Sequence, residues 1–237
     1  MVDKLVKSKE RVRDFGEIFT PEWMVDLMLN QGGLEQRTFE IATTFFEPSA
    51  GEGAFLVEIL RRKLLTAAEI STTKKIYDEN ALIALTSIYG IELLEDNVEQ
   101  IVMNLIVEFL ERYTSEVTKS YDGKVSTFIK DSAKTIIKAN IVQGNSLTKV
   151  DNLGNPLIFS EWKSMGGSDG NKKVQRTEYT FDSILQQGGP TVTVKRVENE
   201  EIDLLAGFFE DEPVTEPKLM NFLPVKYVEI GKELVGE

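Results

Sequence analysis

Residues 47–55 read Glu47-Pro48-Ser49-Ala50-Gly51-Glu52-Gly53-Ala54-Phe55, and no other stretch of the chain limits its fold as tightly. Before it, residues 43–47 form a short β-branched and aromatic run that stops at Pro48; after it, residues 54–65 carry apolar side chains at helical spacing. Two glycines set close together let the backbone approach a ligand, and the helix that follows offers free N–H groups at its start. The segment therefore reads as strand, glycine turn and helix.

The pattern repeats downstream. Residues 87–92 form a second buried strand, and residues 96–113 place Val98, Ile101, Val102, Leu105, Ile106, Phe109 and Leu110 at helical spacing. A polar loop at 121–126, an amphipathic helix at 127–138 and a short strand at 140–143 ending on Gly144 complete a third unit. Such alternation predicts an α/β fold with a doubly wound, mostly parallel sheet. Upstream, residues 1–15 read as an arm or one short helix. Thr20 and Pro21 then read as the N-cap and first residue of a helix whose face carries Trp23, Leu27 and Met28 and which ends at Gly32-Gly33. Beyond Gly144 the pattern loosens. A turn is expected at 151–156, a glycine-bearing loop at 164–173, a fourth strand at 181–185, a further strand at 191–197, a helix at 200–209 and a linker at 211–217. The expected organisation is an N-terminal arm and helix over 1–35, an α/β domain over 36–197 and an acidic appendage over 198–237.

Composition narrows the chemistry. With no cysteine and no histidine, the chain has no disulfides, thiolate or imidazole ligands, or histidine-based acid–base catalysis. No metal site is expected. Neither a membrane-spanning run nor a signal segment is apparent, and a cytoplasmic location is expected. The net charge of −12 opposes a chain that grips nucleic acid by itself, since that grip comes from Lys and Arg displacing counterions. Much of the charge lies in residues 198–237, which carry eleven acidic residues against three basic ones.

Two acids and a turn could hold a ligand. The glycine turn lacks the third glycine or alanine of a dinucleotide fingerprint, and it fits a methionine-and-ribose site better than a pyrophosphate site. It equally describes a plain βα turn. Glu92 ends the second strand, where a carboxylate can accept hydrogen bonds from ribose hydroxyls, although a strand-end acid is often merely solvated. About one βα unit separates it from Gly53, the interval needed to bring both to one sheet margin.

Four ordered pieces, Gly16-Glu17-Ile18-Phe19-Thr20-Pro21, residues 47–55, Gly90-Ile91-Glu92 and Gly144-Asn145-Ser146-Leu147, resemble the motifs of gamma-type N6-adenine DNA methyltransferases of restriction-modification systems. The resemblance covers about the first 150 residues. It implies the Rossmann-like fold of S-adenosylmethionine-dependent methyltransferases, here incomplete, with S-adenosylmethionine as cofactor. Carried across, it implies Phe19, Thr20, Pro21, Glu47, Pro48, Ala50, Gly51 and Gly53 around the methionine end. Glu92 falls to the ribose, and Asn145 with Ser146 to the adenine. It also implies DNA as a partner, which the charge does not support.

Two departures matter. Asn145 stands where the family usually has aspartate; its side-chain oxygen can still accept from an amino group, or the pair Gly144-Asn145 is simply a turn. After the expected fourth strand the family carries Asn-Pro-Pro-Tyr, which holds a flipped adenine. This chain reads Gln186-Gln187-Gly188-Gly189-Pro190 instead, and Asn155-Pro156 lacks the second proline and the aromatic. No catalytic residue is assigned. The expectation is a methyltransferase-like protein that is inactive alone or needs a second methyltransferase or specificity chain. The rival is a non-enzymatic interaction module on a degenerate methyltransferase fold.

Overall fold

The computed structural model describes residues 7–186 and 219–234. Its centre is a three-stranded parallel sheet in the order β1 (Phe45–Glu47), β2 (Ile88–Glu92), β3 (Ile141–Gln143). The register pairs Glu47 with Gly90 and Glu92 with Gln143, so all three strands deliver their carboxyl ends to one margin. Helices α4 (Ala54–Ile70) and α5 (Lys74–Thr86) join β1 to β2, and α6 (Glu95–Tyr121) and α7 (Thr127–Asn140) join β2 to β3.

Both crossovers step the same way across the sheet, so their helices fall on one face. A Cβ on Gly90 would lie 2.8 Å from Leu56 of α4 and 3.4 Å from Ile141, which marks the helical side as closely packed. Along α6 the residues that face inward are Asn97, Ile101, Leu105, Phe109, Tyr113 and Val117, a stripe with four-residue spacing on a helix longer than the sequence pattern indicated. Each large apolar member contributes about 1.5–3 kcal/mol by leaving water. The pattern offers no hint of α5, because that helix buries Tyr77, Ala81, Leu82, Ala84 and Leu85 together with Glu79 and Asn80, leaving no polar face to set a period. Thr73 caps it by accepting from the Ile76 N–H.

The second face is covered differently from the doubly wound expectation. Phe46, Tyr89 and Ile91 meet a hairpin of β4 (Ile158–Ser164) and β5 (Lys173–Thr180) and a short helix α8 (Phe181–Gln186). The Tyr89 hydroxyl donates to the Ser160 carbonyl at 3.0 Å, joining sheet to hairpin. Residues 181–185, expected as a strand, are thus helical: the Thr180 hydroxyl accepts from the Ser183 N–H, and Asp182 lies in the first turn. That capping chemistry outweighs the apolar character of Phe181, Ile184 and Leu185.

The N-terminal region also differs in detail. Ser8 caps α1 (Lys9–Phe15), and Gly16 ends it in the left-handed region at φ 66°. Helix α2 (Glu22–Leu29), which the short α3 (Leu34–Phe39) follows, starts one residue later than expected, with Pro21 rather than Thr20 at the cap, because Pro21 is extended at ψ 152°. Its buried residues are Val25 and Leu29; Trp23, Leu27 and Met28 are exposed. Residues 219–234, assigned by sequence to the acidic appendage, belong to the packed body. There β6 (Val225–Lys226) pairs with β5, and a 3-10 helix, Tyr227–Lys232, buries Tyr227 and Ile230 against the core. The expected strand at 191–197, helix at 200–209 and linker at 211–217 lie outside the described residues. Among the described residues no helix is long and apolar enough to cross a membrane.

Candidate functional site

The cleft at the carboxyl margin is built from the turn after β1. Glu47 ends the strand, and its carboxylate accepts from the Ser49 N–H at 3.3 Å; burial raises its pKa above the ordinary carboxyl value. The Ala50 N–H reaches back to the Ile91 carbonyl at 3.0 Å, tying the turn to β2. Gly51 (φ 56°) and Gly53 (φ 84°) both take left-handed backbone, and Gly53 caps α4. The Gly51 N–H then donates to Glu92 Oε2 at 2.8 Å. The turn and the acid therefore meet directly.

Glu92 is 7% exposed and already well bonded. Its Oε1 accepts from the Leu94 N–H at 3.1 Å and from Asn97 Nδ2 at 3.3 Å. A carboxylate has about four acceptor positions, so one remains at Oε2 for a hydroxyl. The third wall comes from the loop after β3, where the Gly144 N–H donates to the Glu92 carbonyl at 2.9 Å.

The fourth wall is residues 15–19, held by a polar network. Arg11 forks onto Glu17 with both bonds at 2.7 Å and onto Asp96 at 2.7 and 3.0 Å. Burial alone would raise the Glu17 carboxyl, but hydrogen bonds from Arg11 and Asn97 outweigh it and hold the group below the usual range. The Arg11 hydrogen bond, with help from Lys7, pulls Asp96 down to about 2. Lys7 lies over the Phe19 ring at 5.6 Å and pairs with Glu52 and Asp96.

The enclosed space is about 270 Å³, close to the lower end of small-molecule sites at about 300 Å³. Of the residues singled out from sequence, Phe19, Pro48, Gly51, Glu92, Asn145 and Ser146 line it. Thr20, Pro21, Glu47, Ala50 and Gly53 do not; they shape the backbone beside it. Ala50 is buried, and the Cα–H of Gly53 faces Ile101 of α6, where a Cβ would sit 3.1 Å from that side chain. Asn145 spends its side-chain oxygen on its own loop, accepting from the N–H groups of Leu147 and Thr148 at 2.9 and 3.2 Å. It forms an Asx-type turn, so the acceptor that the resemblance implied for an adenine amino group is already occupied.

Sequence reasoning missed Glu17, Asn97 and Asn104. Glu17 belonged to a quoted motif without a role, and Asn97 follows Glu92 at a spacing that puts it in the first turn of α6. Asn104, a polar residue in an apolar stretch, donates to the Glu52 carbonyl at 3.0 Å and so steadies the glycine turn. A larger cleft of about 580 Å³ lies on the second face of the sheet among Phe46, Tyr89, Phe159 and Trp162. Two of the hydroxyls beside it are bonded within the protein, that of Tyr89 to the Ser160 carbonyl and that of Ser87 to the Ile41 and Ala84 carbonyls.

No family model, curated protein or solved structure matches the chain. The reading of the cleft therefore rests on its own geometry and charge. Among the described residues, Glu17, which is paired with Arg11, and Glu92 are the charged groups that line it, and no lysine or arginine does. Such a lining opposes a pyrophosphate and suits a hydroxyl-bearing ligand with positive charge.

Proposed function

We propose that this chain binds S-adenosylmethionine in the cleft between Gly51 and Glu92 and is the cofactor-binding part of a DNA adenine N6-methyltransferase-like protein of restriction-modification type. The observation that carries the reading is the convergence of the glycine turn and the Glu92 carboxylate at 2.8 Å on the carboxyl margin of a parallel sheet, where α/β folds bind nucleosides. Glu92 would take a ribose hydroxyl at Oε2, Phe19 would pack against the ligand, and the acidic lining favours the cofactor's net positive charge. The bound cofactor would supply an activated methyl group, and the protein's part would be alignment and exclusion of water.

Methyl transfer itself would fall to a complex with a partner chain. The position at which the family holds the adenine follows a strand, whereas here it follows α8, and no Asn-Pro-Pro-aromatic segment occurs in the chain. The net charge of −12 likewise leaves the phosphate contacts to the partner, with DNA as the shared ligand. The same helix favours a second reading, an interaction module that kept the fold without the cofactor.

Isothermal titration with S-adenosylmethionine and S-adenosylhomocysteine separates the two. The cofactor reading expects saturable heat from the wild-type chain and an affinity about tenfold weaker in Glu92→Gln, the worth of one charged hydrogen bond. No saturable heat at millimolar ligand from the folded wild type would leave the interaction module as the better account.

A further inference from the structure

The polar network beside the cleft runs without a break from the N-terminal arm to Glu92, and one side chain joins its halves. Asn97 is 1% exposed. Its Nδ2 donates to Glu17 Oε1 at 2.6 Å and to Glu92 Oε1 at 3.3 Å. Its Oδ1 accepts from Lys7 Nζ at 2.6 Å and from Arg11 Nη2 at 3.4 Å. An amide alone among small side chains donates twice and accepts twice. Asn97 therefore separates two carboxylates that would otherwise repel across the cleft wall, while holding both cations of the arm.

This arrangement has a direct consequence for the cleft. Residues 15–19 form one wall, and α1, which leads into them, has no buried residue of its own. Its one partly buried apolar residue is Val12, so the Arg11, Lys7, Glu17 and Asp96 bonds carry most of what holds α1 in place. These bonds converge on Asn97 and Asp96 in the first turn of α6, beside the carboxylate that faces the ligand.

We propose that Asn97 is a positioning residue that couples docking of the N-terminal arm to the orientation of Glu92, so that the cleft is complete only when the arm is in place. The coupling rests on the cofactor reading only for the identity of the ligand. Other charged groups around Asn97 are Lys7 and Arg11 on the arm, Glu17 on the wall, Glu52 in the glycine turn, Glu92 on β2 and Asp96 beside it. Asp96, held at about 2 by Arg11, keeps its charge across the neutral range.

Two full-chain variants test the coupling. Asn97→Leu removes both donors and both acceptors, whereas Asn97→Asp keeps the shape but sets a third carboxylate against Glu17 and Glu92, which raises the cluster's affinity for a proton. Tryptic cleavage after the exposed Arg13 at pH 8, without ligand, reports arm release. It is expected to rise about tenfold in both variants, the effect of losing a buried charged hydrogen bond. S-adenosylmethionine affinity measured from pH 8 to pH 5 is expected to fall about tenfold in Asn97→Leu at every pH. In Asn97→Asp it should return toward the wild-type value as the pH falls and one shared proton restores the bridge, a recovery that loss of packing alone would not produce.

Unchanged cleavage in both variants overturns the coupling, whatever the calorimetry shows. Increased cleavage with unchanged affinity, or with no recovery of Asn97→Asp at low pH, overturns it as well. If the wild type itself gives no heat, the cofactor reading fails separately, and cleavage after Arg13 alone decides whether Asn97 holds the arm.

Discussion

Gly53 offers the sharpest test of how the turn is built, because two separate costs attach to a single methyl group there. The residue sits at φ 84°, where a Cβ approaches the following carbonyl, and L-residues lose about 1–2 kcal/mol. The same Cβ would lie 3.1 and 3.2 Å from the Cγ2 and Cγ1 atoms of Ile101, which is 0% exposed on α6 and cannot swing into solvent. Overpacking of that kind costs about 1–3 kcal/mol. Gly53→Ala is therefore expected to destabilise the protein by about 2–5 kcal/mol, lowering Tm by roughly 4–20 °C in a domain of this size.

Urea denaturation measures the loss, and a double-mutant cycle with Ile101→Ala divides it. The steric share should disappear in the double variant, leaving only the backbone share of about 1–2 kcal/mol as the effect of the Gly53 change. A Gly53→Ala stability within about 0.5 kcal/mol of wild type, the range of an ordinary surface substitution, would show that neither cost exists. Simple additivity of the two changes would show that α6 is not what the glycine accommodates.

Two further outcomes follow from buried groups. Lys63 is fully buried on α4, its ammonium donating to the carbonyls of Ile41 and Thr43 and to Ser87 Oγ, and burial pushes it down to about 7. Its pKa in the unfolded chain is near the ordinary 10.5, so between these values the unfolded state binds more protons and stability should rise with pH. The wild type minus Lys63→Met difference should slope upward by up to about 1.4 kcal/mol per pH unit from pH 7 to 10; a flat or falling difference would show that the ammonium keeps its proton there. Tyr227 is 4% exposed in the C-terminal 3-10 helix. Tyr227→Ala should cost about 3–5 kcal/mol by urea denaturation, as for other buried aromatics, and a cost below about 1 kcal/mol would remove residues 219–234 from the cooperative core.

The margin cleft was legible because its parts are local. A glycine pair that needs positive φ and an acid at a strand end are fixed by backbone chemistry within a few residues, and the interval between them is set by one βα unit. Asn97 was illegible because its meaning depends on Lys7, Arg11 and Glu17, eighty or more residues away, arriving at the same turn of α6.

Hydrophobic periodicity and glycine conformation are enough to fix the three central strands, their parallel sense and the turn that brings Gly51 to Glu92. Tertiary structure decided what covers the second face of the sheet, that residues 181–186 form a helix, and that residues 219–234 join the body. Those outcomes depend on contacts between distant segments, as when Tyr89 meets Ser160 or Ser132 accepts from the Gly231 N–H, and no local pattern encodes a partner that far along the chain.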